Sequence, residues 1–179
     1  MGYKHSRDQM LDAAARLLAE EGLAGVTFRR IGERLGVPDR TVVYYFPTKS
    51  DLLGAVLDGH VRQLHGLLHA ALGDRPLPPA ELLHRAWSAL RTPGADALFR
   101  VHFEVAGQAA AGRAPYRALA AALAAHWADW LSPRVAVPVE RRNGRAAALL
   151  AQLDGLLLLR AVGQAALADT AATELGWRR

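Results

Sequence analysis

Apolar residues recur every three to four positions along almost the whole chain, the spacing of helices with one buried face. Met10, Leu11, Ala14, Leu17 and Leu18 set the first stripe and predict a helix over 7–20, with Gly22 as its stop. Thr27 is a good N-cap for a second helix, which turns Ile31 and Leu35 inward and ends at Gly36, where a left-handed residue costs little. A third helix over 38–44 is short, because Pro38 suits a first turn and Pro47 blocks continuation. Thr48 and Asp51 match a capping box with Asp in place of Glu, and open a fourth helix reaching about residue 72. Five more are predicted over 79–91, 95–110, 115–131, 139–162 and 164–175, separated by segments bearing Gly or Pro. No sustained two-residue alternation exists, so no sheet is expected. The expected fold is all-α, about nine helices: a three-helix head over 1–47, then helical residues 48–179, with 48–72 as the connector.

Residues 27–49, TFRRIGERLGVPDRTVVYYFPTK, read as two short helices joined by a tight turn and followed by an aromatic cluster. That is a helix-turn-helix, which lets a protein lay one helix in the DNA major groove. Val42 and Phe46, four apart, anchor helix three inward and leave Arg40, Thr41, Tyr44 and Tyr45 near the other side. Arg bonds guanine edges bidentately and Thr touches a base or a phosphate. Tyr hydroxyls and Lys49 suit phosphate oxygens, and the start of helix two at Thr27 offers a second anion site beside Arg29. Pro38 and Asp39, which open helix three, complete the candidate DNA-facing set. For Arg34 a solvated helix face is the simpler reading.

Composition sharpens this only in places. Half of the 179 residues are hydrophobic, enough for a sizeable core, and there is no Cys, which excludes disulfides, zinc fingers and thiol catalysis. The net charge of +5 favours an anionic partner, yet residues 1–53 hold eight Lys/Arg against seven Asp/Glu, so pattern carries the DNA argument rather than charge. The polar N-terminus and the absence of a long apolar run predict no membrane partner and a cytoplasmic, nucleoid-associated location. No Gly-rich phosphate loop, G-x-S-x-G or H-E-x-x-H is present, so no enzyme and no cofactor are expected. His65 and His69 stand four apart as a metal would need, but without a third ligand an exposed pair is the simpler reading, and no metal site is expected.

In order and spacing the first third resembles the TetR-type bacterial transcriptional regulators. The resemblance rests on Ala13-Ala-Ala-Arg-Leu-Leu18 and Glu21-Gly22. It continues through Thr27 to Ile31, Gly36-Val37, Thr41, Tyr44-Tyr-Phe-Pro47, Lys49 and Asp51-Leu-Leu53. Pro38 departs from the usual Ser or Thr, Val43 from a frequent aromatic, and Arg40 from a position that is often small. The resemblance implies a homodimer whose N-terminal helices bind double-stranded DNA and whose C-terminal helices bind a small-molecule effector. It also implies a pseudo-palindromic operator and, in most members, repression that the effector releases.

Residues 147–160, AALLAQLDGLLLLR, look like the penultimate, dimerising helix of such regulators. Leucines surround that helix, so it needs cover from its own subunit and from a partner. Leu149, Leu153, Leu156, Leu157, Arg160 and, on the next helix, Leu167 are the expected interface. A pocket with apolar walls and few polar groups would draw on Trp87, Phe99, His102, Phe103, Tyr116 and Trp127, although aromatics at helical spacing also serve as plain core. Glu104 and Arg100 form an i,i+4 pair on the simpler reading. Two other classes stand beside the ligand-responsive regulator: a DNA-binding dimer without inducer, and a small helical enzyme or carrier.

Overall fold

The computed structural model describes residues 6–176, and among these every extended element is a helix. In chain order they are α1 (Arg7–Glu21), α2 (Phe28–Leu35), α3 (Asp39–Tyr45), α4 (Lys49–Leu72), α5 (Pro79–Leu90), α6 (Pro93–Ala110), α7 (Tyr116–Leu131), α8 (Arg142–Ala161) and α9 (Ala165–Glu174). Short 3-10 turns cover Leu23–Gly25, Ser132–Arg134 and Val139–Arg141. The expected elements all form, with ends no more than three residues from those expected. Ser6 and Gln9 make a capping box on α1, and Thr48 and Asp51 make the expected one on α4. Pro38 is the residue before α3 rather than its first turn. Among the described residues there is no sheet, only an isolated parallel bridge, Leu77 with Val135, closed by two 2.8 Å backbone hydrogen bonds.

The chain packs as two units, and α4, α6 and α7 contribute residues to both. The first holds residues 6–62 with 104–119. Its core is built from Met10, Leu17 and Leu18 of α1, Ile31 of α2, Val42 of α3, and Phe46, all essentially sealed from solvent. The turn between α2 and α3 is tight: the Val37 N–H donates to the Gly32 carbonyl at 2.9 Å. A Cβ at Gly32 would stand 2.7 Å from the Val37 carbonyl oxygen, so only glycine allows this close approach.

The second unit holds residues 63–103 with 120–176. Leu82 and Leu90 of α5, Leu131 of α7 and Leu149, Leu153 and Leu157 of α8 form its centre. Asp96 and Arg160 tie α6 to α8 through two charge-assisted hydrogen bonds of 3.0 and 2.8 Å. Those bonds hold the Arg160 guanidinium above its usual proton affinity.

Candidate nucleic-acid interface and internal cavity

Val42 and Phe46 anchor α3 as their spacing predicts, and the helix turns its opposite side outward. Arg40 and Tyr44 lie on that side, and Tyr44 keeps 67% of its surface exposed. Tyr45 is half-buried and meets Tyr44 edge to face at 5.2 Å. Thr41 differs from expectation: it is only 7% exposed, because it sits one residue before Val42 on the inward-facing turn of so short a helix. Asp39 accepts from the Arg40 backbone N–H at 2.7 Å, so its carboxylate is engaged at the helix start, beside the exposed Pro38.

Around α3 the other candidates sort by what holds them. The Thr27 hydroxyl accepts from the Arg30 N–H at 3.2 Å, an N-cap at the start of α2. Arg29 is exposed and 3.6 Å from Glu33 one turn on. Arg34 is bidentate to Glu20 of α1, and that bond draws the Glu20 carboxyl below the ordinary carboxylate value. Lys49, exposed at the first turn of α4, has its ammonium 6.0 Å from the Tyr116 ring. Tyr116 is thereby assigned to the first unit and not to a pocket in the second.

Within the second unit a small cavity of about 40 Å³ lies among α4 to α8. Twelve residues line it, of which ten are apolar; Phe99, His102 and Trp127 are the lining residues expected from sequence. Trp87 is buried but outside the lining, with Arg160 6.0 Å from its ring, and Phe103 stacks beside Phe99 and His102 without reaching the cavity. Asp154 of α8 is a polar lining residue that helical spacing did not flag, although it is the one acid in the apolar run 147–160. Its Oδ1 stands 3.8 Å from His102 Nε2. Burial pushes the Asp154 carboxyl up and the His102 imidazole down from their ordinary values.

Of the two histidines expected to be exposed, His69 is and His65 is half-buried. Its Nε2 lies 2.9 Å from His126 Nε2 on α7, and the two rings stack with Trp127 and Trp130 close by. Burial, then His126 and Arg134, lower the His65 proton affinity. His69 instead stands 3.6 Å from Asp74. Among the described residues no group of three His, Asp or Glu side chains is placed to hold a metal ion.

The expected interface on α8 needs correction. Leu149, Leu153, Leu156 and Leu157 are at most 4% exposed inside their own unit, and Arg160 is engaged by Asp96. With leucines on all sides, sequence did not distinguish the inner stripe from the outer. The exposed apolar residues of this C-terminal stretch are Leu158, Val162, Leu167 and Leu175, and Leu167 alone carries over from the expected set.

A helical head with a short outward α3, followed by helices enclosing a cavity, defines an all-α helix-turn-helix protein. The family model described as bacterial regulatory proteins, tetR family, matches residues 10–56, the helix-turn-helix head and the start of α4. Over 77 residues it is 39% identical to the HTH-type transcriptional repressor Rv3405c of Mycobacterium tuberculosis, covering 43% of this chain. The match spans only 38% of that repressor's length. Among solved structures, a transcriptional regulator from Rhodococcus sp. Rha1 is similar across 91% of this chain and 87% of its own, with TM-score 0.68 and 28% identity. The multidrug binding protein EbrR, complexed with imidazole, is similar across 97% and 96%, with TM-score 0.67 and 26% identity.

Proposed function

We propose that this protein is a ligand-responsive transcriptional regulator, a repressor released from a pseudo-palindromic operator by a small molecule. The observation that carries this reading is the outward side of α3, with Arg40 and Tyr44 exposed while Val42 and Phe46 hold the helix to the head. Residues 1–47 act as the DNA-binding module and 48–179 as the effector-binding and dimerising part. Thr27, Arg29, Tyr45 and Lys49 contact the phosphate backbone beside Arg40 and Tyr44, which reach the groove. Pro38 and Asp39 fix the start of α3. Thr41 contributes by positioning α3.

Two copies of α3 then meet half-sites one helical turn or a multiple apart. Leu158, Val162 and Leu167 supply the apolar face of the homodimer, which accounts for their exposure in a single chain. The effector enters the cavity beside Phe99, His102 and Trp127. That EbrR was crystallised with a small molecule supports an effector site in a protein of this fold. The match of residues 10–56 to a regulatory family supports a regulatory role.

The cavity's small volume favours a second reading, a DNA-binding dimer that takes no effector. Footprinting on the DNA upstream of the protein's own gene, across a salt series, tests the common part. Protection of a two-fold site that weakens steeply with salt is the expected result. No protection at low salt overturns the DNA-binding reading.

A further inference from the structure

The cavity in the second unit has a composition that packing alone does not explain. Ten of its twelve lining residues are apolar, and the two polar ones, His102 and Asp154, face each other. Asp154 stands between Leu153 and Gly155 in a leucine-rich helix, and an under-paired carboxylate among apolar side chains destabilises a fold. Leucine there would pack at no such cost.

Its one nearby partner is weak. The 3.8 Å gap to His102 Nε2 is beyond hydrogen-bond length, and burial keeps that imidazole toward its neutral form. Burial and His102 are what act on Asp154; no Lys or Arg is among the groups that stabilise its charge. In a chain of net charge +5, an ionised Asp154 therefore places a negative charge in the cavity with no Lys or Arg beside it in the lining. Asp154 is not sealed away either, since 38% of its side-chain surface is accessible. The rings of Phe99 and Trp127 complete the lining, and aromatic faces attract cations when water is excluded.

The geometry points to a lipophilic organic cation as the occupant of this cavity, an ammonium on an apolar aryl or alkyl body, with Asp154 as its counter-ion. The inference rests on the regulator reading for its biological sense, since it names the chemical class of the effector. The ammonium sits between Asp154 and the aromatic faces, and the apolar body displaces leucine side chains from α4 and α8. An anionic ligand would meet Asp154 directly. A neutral one would leave its charge as poorly matched as before.

Three small soluble probes of nearly one shape separate these cases: benzylammonium, benzyl alcohol and benzoate. Titration calorimetry at neutral pH on the full-length protein is expected to show benzylammonium bound at least about tenfold more tightly than the other two. In Asp154→Asn, which keeps the side-chain shape and removes the charge, that preference is expected to vanish while the helical circular-dichroism signal persists. Equal or tighter binding of the alcohol or benzoate overturns the inference. So does a preference that survives Asp154→Asn, or no binding of any probe at millimolar concentration.

The same probes added to the footprint distinguish this inference from the function it rests on. Binding with an Asp154-dependent preference but no release of DNA supports the ligand class and overturns the effector reading. A footprint without any cation preference leaves the regulator reading standing and overturns the ligand class.

Discussion

Glu104 accepts the backbone N–H of Leu23 with both carboxylate oxygens, at 3.1 and 3.0 Å, across 81 residues of sequence. Leu23 opens a 3-10 turn, where an N–H has no helical partner, so the carboxylate of α6 caps it from outside. Gly22 just before it has φ +70° and ψ −163°, and a Cβ there would stand 2.9 Å from Glu104 Oε2. Glu104→Ala is therefore expected to lower the stability of the first unit by about 1–3 kcal/mol, since it leaves a part-buried N–H unpaired. Gly22→Ala is expected to cost about 1–3 kcal/mol through its backbone conformation. Urea unfolding of each variant measures both losses.

For DNA binding, Lys49→Ala is expected to weaken affinity on all sequences and to reduce the salt slope by about 1, the signature of one lost phosphate contact. Tyr44→Phe, which removes only a hydroxyl, is expected to cost about 0.5–1.5 kcal/mol. Thr41→Val keeps the shape of a buried side chain and is expected to leave the salt slope unchanged. Fluorescence anisotropy against salt measures all three.

Stability is expected to fall in mild acid. His60, His65 and His102 are held below the ordinary imidazole value of 6.5, chiefly by burial. The unfolded chain thus takes up protons first, so stability is full above about pH 6.5 and is lost as pH falls toward the folded-state values. Asp154 acts with the opposite sign. Its raised proton affinity means that the half-buried charge destabilises the fold at neutral pH, and protonation relieves this. Asp154→Asn is expected to raise the unfolding midpoint at pH 7. Thermal melts of both proteins between about pH 5 and pH 8 check the two signs.

The homodimer has its own test. Leu167→Glu places a charge at one of the exposed apolar positions of α8 and α9 and leaves the buried stripe of α8 untouched. Sedimentation is expected to show a dimer for the wild type and a monomer of unchanged helicity for the variant. A variant that remains dimeric would move the interface elsewhere.

Helix positions were legible because nearly every helix has one apolar face and a cap or breaker at its end. Thr48 and Asp51 cap α4 as their spacing predicts, and Val42 and Phe46 orient α3. Periodicity reports which residues turn inward but not what they meet there. Thr41 looked outward from its chemistry, but its place on a helix of seven residues buries it. Glu104 looked like the partner of Arg100 one turn away, yet it reaches Leu23. Leu149, Leu153, Leu156 and Leu157 of α8 were expected at the interface and are core, since leucines occupy all sides of the helix and only the neighbouring helices decide which are covered. His65 was expected to be exposed and instead meets His126 for the same reason: a contact between helices leaves no periodic trace in either.

The 40 Å³ cavity also bears on selectivity. It has room for about one or two water molecules, well short of the roughly 150 Å³ that admits a benzene ring. Any organic occupant must therefore bind a widened form of the unit, and its apparent affinity falls by the fraction of molecules in that form. A protein built this way refuses weakly matched molecules by default. Its response threshold is set by how rarely the helices part, so a substitution that loosens the lining, such as Leu150→Ala, should broaden the range of molecules that bind even though it adds no contact to any of them.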